Sequence, residues 1–155
     1  MEKIKISKQE LDPFLKKSDL AGAAAVLFTW GLIAASLAMV ARWPHPLTVL
    51  AALLVLGGRQ LALGVMMHDC AHQSLFRSRA LNDFVGQWLC AYPLLSNLNS
   101  YWKVHAQHHL KAGTSEDPDL PNYQAYPVSR ASLLRKIFRD LTGQTGIKIL
   151  LGTFR

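Results

Sequence analysis

Cysteine is scarce in this chain of 155 residues, which contains only Cys70 and Cys90. The two are too far apart to form a CxxC pair, so the sequence indicates neither a thiolate zinc site nor a redox motif of that kind. Both are expected on the cytoplasmic side of a membrane, where thiols stay reduced, and no disulfide is expected. Cys70 lies inside the segment HDCAH, but its helical phase points it away from the two histidines there.

Charge is missing over long stretches. No charged residue occurs from Leu20 to Ala41, and at about 1.5 Å per residue this run can cross a hydrocarbon core of roughly 30 Å. Leu47 to Met67 form a second apolar run. The turn between the runs contains Arg42, Trp43 and two prolines. An all-α fold follows, in which residues 20–67 form a transmembrane helical hairpin.

Three residues of the hairpin carry separate predictions. Trp30 and Trp43 are candidate anchors at the membrane interface, where tryptophan is enriched. Arg59 interrupts the second run, at a cost of about 2.5 to 3.5 kcal/mol near the centre of a span. Its side chain either points into the bundle and reaches a carbonyl, which we favour, or pairs with a polar group near a functional site.

The distribution of basic residues predicts the orientation of the chain. Residues 1–19 are polar, which excludes a secretory signal peptide there. By the positive-inside rule this segment and all residues after the hairpin face the cytoplasm. The net charge of +7 is spread over such flanks, so a nucleic-acid partner is not indicated. The flanking basic residues are Lys3, Lys5, Lys8, Lys16, Lys17, Arg77 and Arg79.

Histidine is concentrated in two short segments. Spacings of three and four residues place side chains on one face of a helix, and imidazole is the commonest protein ligand for metals. Five imidazoles exceed the four-ligand shell of one structural zinc, so either two metals or one metal with additional bases are predicted. His45, in the turn of the hairpin, is expected only to be hydrogen-bonded. The predicted ligands are His68 and His72 in the first group, and His105, His108 and His109 in the second.

Three segments after the first histidine group have a membrane-related pattern. Leu81 to Ser96 is apolar but short and interrupted by polar residues, which predicts an interfacial amphipathic helix or, almost equally, a re-entrant hairpin. Arg130 to Arg139 predicts an amphipathic segment that faces lipid headgroups. Ile147 to Phe154 is apolar again and looks like the start of a further span.

A polar turn follows the second histidine group. Its acidic residues are Glu116, Asp117 and Asp119. They are close enough in sequence to His109 to orient imidazole rings through hydrogen bonds. They fit equally well as solvated turn residues, so both interpretations stay open.

Two segments of the chain resemble the membrane fatty acid desaturase family. Gly58 to Phe76 (GRQLALGVMMHDCAHQSLF) is similar to the family's first histidine box and the span before it. Tyr101 to Leu120 (YWKVHAQHHLKAGTSEDPDL) is similar to the second box and its acidic, proline-containing tail. The resemblance implies that the five histidines are ligands of two iron ions. Such a centre activates dioxygen and removes hydrogens from a lipid or fatty acyl chain, with electrons from a ferredoxin or a cytochrome.

The family's third histidine box has no counterpart in this sequence, since no histidine follows His109. Residues 68–155 are therefore interpreted as part of a desaturase cytoplasmic cap, with both boxes and the start of a further span. We expect a fragment that is inactive alone.

Alternative functions remain open from the residues. Carotenoid or sterol hydroxylases and ketolases share the histidine boxes. A membrane zinc protease is a weaker alternative, because HDCAH has the offsets of HExxH with Asp69 in place of the glutamate. A non-catalytic membrane remnant is the third.

Overall fold

The computed structural model describes Ser7, Glu10 and residues 16–153. Over these residues the chain consists of helices, turns and loops with no strand, which confirms the all-α prediction. Two compact units are present, the first ending at Tyr101 and the second beginning at Trp102. The helical elements are α1 (Asp19–Arg42), α2 (Pro46–Ala71), α3 (Arg79–Phe84), a π-helix (Val85–Ala91), a 3-10 turn (Tyr92–Leu94), α4 (Leu98–Lys111), α5 (Leu120–Tyr123), α6 (Arg130–Leu141) and α7 (Gln144–Thr153).

Helices α1 and α2 contain the two predicted apolar runs. Ser18 caps α1, because its hydroxyl accepts a hydrogen bond from the N–H of Ala21 at 3.3 Å. His45 caps α2, and its Nδ1 accepts from the N–H of Leu47 at 3.2 Å. His45 is therefore hydrogen-bonded, as predicted. Both helices are long and apolar enough to cross a membrane.

The two long helices contact each other, and the buried residues of α1 are small or medium in size. They are spaced four, three and seven residues apart along α1, which places them on one face of the helix. Small residues let the backbones approach closely, which favours helix pairing in lipid. Many leucines on the other faces are exposed, including Leu27, Leu54 and Leu61, and such a surface suits lipid contact. The buried residues of α1 are Gly22, Val26, Thr29 and Ser36.

One prediction about the hairpin is corrected, and one contact of the hairpin was not predicted. The guanidinium of Arg59 lies over the ring of Phe28, 5.6 Å from its centroid, so an aromatic face is its partner instead of a carbonyl. The indole N–H of Trp30 donates to the backbone carbonyl of Leu89 at 3.1 Å. Trp30 thus ties α1 to the π-helix. Trp43 is exposed, with Arg42 over its ring.

The segment Leu81–Ser96, predicted as an interfacial helix or a re-entrant hairpin, is divided among α3, the π-helix and the 3-10 turn. Two of its polar residues, Asn82 and Gln87, bind the backbone of neighbouring loops, whereas Asp83 is exposed. Asn82 is fully buried, and its side chain bonds the backbone N–H and C=O of Phe76 and the C=O of Ser78. The side-chain oxygen of Gln87 accepts from the N–H of Leu98 at 3.1 Å. The amide of Asn82 is thus satisfied by loop backbone at its oxygen and at its nitrogen.

The second unit contains the end of α4 and helices α5 to α7. Helix α6 has an apolar face with Leu133, Ile137 and Phe138, and its basic residues include Arg135 and Arg139. This pattern agrees with the amphipathic segment predicted there. Helix α7 covers most of the predicted start of a further span, whose last residue, Phe154, lies outside the described residues.

We expect Trp30→Phe to lower the free energy of unfolding by about 1 kcal/mol, the contribution of one hydrogen bond. The ring still fills the space beside the π-helix, while the carbonyl of Leu89 loses its donor. Thermal unfolding of the detergent-solubilised chain, followed by circular dichroism, measures the change. Trp43→Phe is the matched control, and an equal loss in that variant would contradict the assignment.

Candidate metal centre

The first histidine group lies where α2 ends. His68 is in the last turn of the helix, and His72 is its C-terminal capping residue, so the predicted helical extension stops just before His72. The two ring centroids are 4.6 Å apart. The helix stops because the next residue, Gln73, has a φ of +56° in the left-handed region. The two imidazoles are therefore adjacent, as the spacing predicted.

Burial of Cys70 and hydrogen bonds after the helix fix the backbone around the pair of His68 and His72. Cys70 is completely buried in the core, which confirms that its side chain points away from the pair. After the helix, the N–H and hydroxyl of Ser74 donate to the carbonyl of Asp69 at 2.8 and 2.9 Å. The N–H of Arg77 donates to Asp19 at 2.7 Å. The segment that follows His72 is thus joined to the start of α1.

His68 has a carboxylate neighbour. Its Nδ1 lies 3.0 Å from Oδ1 of Asp69. An imidazole that donates from Nδ1 binds a metal ion through Nε2, and the carboxylate makes that nitrogen a stronger base. In the zinc protease alternative Asp69 would be the general base, but here it contacts a histidine ring.

The second histidine group lies on one face near the end of α4. The ring of His105 is 4.5 Å from that of His109 and 6.0 Å from that of His108, measured between centroids. The Nε2 atoms of His105 and His109 are 3.0 Å apart. Two imidazole nitrogens that bind one ion at about 2.1 Å and at right angles are separated by about the same distance. The three histidines therefore lie on one face of α4, as their spacing predicted.

Asp117 holds the third ring of this group. The turn after α4 buries this carboxylate, whose Oδ1 accepts from Nδ1 of His108 at 2.8 Å and from the N–H of Asp119 at 2.9 Å. The other oxygen, Oδ2, accepts from the hydroxyl of Tyr123. This contact with a carboxylate favours a proton on Nδ1 of His108, which leaves Nε2 available as an electron-pair donor.

Charge and hydrogen bonding shift the pKa values in this network. The hydrogen bond to Asp117 raises the pKa of His108 above its ordinary value. Burial works to raise the pKa of Asp117, but hydrogen bonds from Tyr123 and His108 outweigh it and hold that pKa well below the usual range. The bond to Asp117 also raises the pKa of the Tyr123 hydroxyl. Asp117 is thus an anion throughout the neutral range.

The three acidic residues of the turn separate into different roles. Glu116 is exposed and pairs with Lys111 at 2.7 Å, as a solvated turn residue does. Asp117 is buried and contacts His108, as expected for a carboxylate that orients an imidazole ring. Asp119 is partly exposed, and its Oδ2 lies 3.6 Å from Nδ1 of His108. Both interpretations left open by the sequence therefore apply, each to a different residue.

Tyr123 is the residue of this network that the sequence did not reveal. It lies six positions after Asp117 and belongs to no histidine box. A short acidic turn followed by a helix with a tyrosine is too common a pattern to select it. Only the folded turn shows the contact.

We expect Asp117→Asn to lower the pKa of His108 toward its ordinary value, because the carboxylate that stabilises the imidazolium is lost. Since folding raises this pKa, the protonated ring stabilises the fold at acidic pH, and the effect is lost as the pH rises through the raised pKa. A pH titration of the histidine signals by NMR, on the metal-free chain, measures the shift. Glu116→Gln is the control, and a similar shift there would show a nonspecific charge effect.

The donor set fits a transition metal. Neutral imidazole suits iron and zinc, whereas magnesium and calcium prefer oxygen ligands. Each group has an imidazole whose Nδ1 faces a carboxylate, the arrangement that metal-binding histidines commonly show. The Nε2 atoms of His105 and His109 lie within hydrogen-bond distance, and a cation bound by both would displace any proton held between them. The residues therefore match an imidazole-bound metal by chemistry.

Comparisons with known proteins agree with this chemistry. The family model for fatty acid desaturase matches residues 44–155. Dihydrorhizobitoxine desaturase of Bradyrhizobium elkanii is 32% identical over 119 residues, which cover 74% of this chain and 33% of that protein. The sn-1 oleoyl-lipid 12-desaturase of Synechocystis is 33% identical over 85 residues, which cover 51% of this chain and 23% of that protein.

The chain spans a third or less of the length of these two relatives. No solved structure matches it significantly.

Proposed function

Because this chain belongs to the fatty acid desaturase family, we propose that it is part of an oxygen-dependent di-iron desaturase of fatty acyl chains. The observation that carries the proposal is the buried Asp117 on Nδ1 of His108, within the region that the family model matches. The proposed substrate is an acyl-lipid or an acyl-thioester. The names of the two relatives specify different substrates, dihydrorhizobitoxine and an oleoyl-lipid, so the substrate must be measured.

The proposed iron ligands are the five histidines of the two groups. In the complete protein two iron ions would supply dioxygen activation for the removal of two hydrogens from a saturated carbon pair. The residues of this chain would bind and orient: Asp117 holds the ring of His108, and Asp69 contacts Nδ1 of His68. The full set of proposed ligands is His68, His72, His105, His108 and His109.

The membrane arrangement is also proposed. Helices α1 and α2 would span the bilayer in a multi-pass protein, with residues 1–19 and both histidine groups in the cytoplasm. The histidines would then lie near a lipid substrate at the membrane surface, and a ferredoxin or cytochrome would deliver electrons from the cytoplasm. The amphipathic helix α6 would lie among the headgroups. Reporter fusions after residue 18 and after residue 143 test the orientation.

Metal analysis of the purified, detergent-solubilised chain is the first experiment. Little or no bound metal is expected, because five histidines do not fill two iron coordination spheres without the family's third box. About two irons per chain would contradict the expectation that this chain cannot complete a di-iron centre by itself. One zinc without iron would favour the protease alternative.

Complementation tests the activity. We expect unsaturated products only when the chain is supplied together with a C-terminal part of a relative that carries the third histidine box. Fatty acids from the expressing cells are analysed by gas chromatography and mass spectrometry. Hydroxylated products would identify the related hydroxylases instead, and no product under any combination would favour the non-catalytic remnant.

A further inference from the structure

The hydroxyl of Tyr123 makes two hydrogen bonds that close the turn after the second histidine group. It donates to Oδ2 of Asp117 and accepts from the N–H of Gly113 at 3.2 Å. Gly113 follows the end of α4 and has a φ of +80°, which favours glycine. One hydroxyl therefore connects the end of the histidine helix, the acidic turn and α5, using both its donor and its acceptor capacity.

Asp117 depends on this hydroxyl for its orientation. Its side chain is completely buried, so the contacts it makes with the protein determine where its oxygens point. Oδ1 is held by His108 and by the N–H of Asp119, whereas Oδ2 has Tyr123. Without the hydroxyl the carboxylate keeps partners on one oxygen only. It can then rotate about its terminal torsion, which has a broad energy well.

The orientation of Asp117 in turn determines how the ring of His108 is held. A carboxylate held through both oxygens presents Oδ1 to Nδ1 of His108 in one direction. A neutral imidazole then carries its proton on Nδ1, because the other nitrogen, Nε2, makes no such contact with Asp117. A carboxylate that rotates presents this acceptor only part of the time, and the competing tautomer becomes populated.

We propose that Tyr123 is a positioning residue, whose hydroxyl acts through Asp117 to keep the proton of His108 on Nδ1 and so to present Nε2 to a metal ion. The tautomer part of this inference stands on the hydrogen-bond geometry alone. The metal part rests on the proposed function. The two parts can therefore fail separately.

The test compares Tyr123→Phe with Tyr126→Phe in the full chain. Tyr123→Phe keeps the ring and removes the hydroxyl. Tyr126 is an exposed tyrosine of the same segment outside the hydrogen-bond network of Asp117, and its variant is the matched control. Histidine rings are labelled with nitrogen-15 in the metal-free chain at alkaline pH. Long-range proton–nitrogen correlations distinguish the two tautomers, and a His108→Gln variant assigns the signals.

We expect the tautomer ratio of His108 to shift toward the Nε2-protonated form by roughly two- to tenfold in Tyr123→Phe, the factor that one hydrogen bond contributes. The ratios for His105 and His109 should stay as they are, and Tyr126→Phe should match the unsubstituted chain. An unchanged His108 ratio in Tyr123→Phe would overturn the proposal. Equal changes in all three histidines would also overturn it, because they would show a general loss of structure.

Binding of Co²⁺ by the complemented complex, followed by its visible absorption, gives the second readout. We expect the affinity of Tyr123→Phe to fall by a factor similar to the tautomer shift, with no change in Tyr126→Phe. A tautomer shift without a change in Co²⁺ affinity would overturn the metal part and keep the positioning of His108. If the unsubstituted complemented complex binds no Co²⁺, the metal part is likewise overturned.

Discussion

Replacement of both His105 and His109 by alanine is expected to lower the affinity of the complemented protein for iron by more than roughly 100-fold. A hydrogen-bond partner of a metal ligand already contributes about 10- to 100-fold to metal affinity, and this variant removes two ligands. The Nε2 atoms of the two rings are 3.0 Å apart, so both are expected to bind the same ion.

His45→Ala is the matched control for this effect. His45 caps α2 and belongs to neither histidine group, so its loss should leave the metal content unchanged. Iron per chain is measured by elemental analysis of the complemented complex after dialysis. His68→Ala and His108→Ala should each lower the iron content as single variants. Unchanged iron in the double variant would remove His105 and His109 from the ligand set.

The second large effect is expected at Gly86, in the π-helix. A Cβ at this position would lie 2.6 Å from Cβ of Cys70 and 3.0 Å from a methyl carbon of Leu98. Cβ of Cys70 is attached directly to the backbone of α2 and cannot turn away. Gly86→Ala must therefore separate the π-helix from α2, at a cost of about 1 to 3 kcal/mol of unfolding free energy.

Gly58→Ala provides the comparison within the same hairpin. No atom lies within 4 Å of a Cβ built on Gly58, apart from the helix's own backbone and its chain neighbours. This substitution should be neutral or stabilise α2 by up to about 1 kcal/mol, the helix preference of alanine over glycine. Thermal unfolding in detergent measures both variants. Equal stabilities for the two would contradict the close approach at Gly86.

Local pattern explains the parts of the fold that the sequence predicted. A long run without charge is costly to leave in water and inexpensive in lipid, so the composition of residues 20–67 identified the helices of the hairpin. Spacings of three and four residues place side chains together within a single helix. For that reason the second histidine group could be assigned to one face of α4 before the structure was known.

Longer contacts explain the parts that the sequence did not predict. Leu81 to Ser96 has a polar pattern typical of a surface helix, yet Asn82 is buried because the loop at Phe76 needs its amide. The sequence likewise contains no sign that the indole of Trp30 donates to the carbonyl of Leu89. In each case the partner comes from a segment that folds back on the residue. Such a contact leaves no trace in the local sequence periodicity.

The sequence by itself determined the helical class, the two apolar helices, the histidine spacing and the resemblance to desaturases, since each depends on neighbours within a few helical turns. Only the tertiary structure decided which acid holds a histidine. Glu116 and Asp117 are adjacent and chemically alike, but the turn buries one and leaves the other exposed. Burial of a charge is tolerated only where hydrogen-bond donors converge on it, and the donors on Asp117 come from α4, the turn itself and α5.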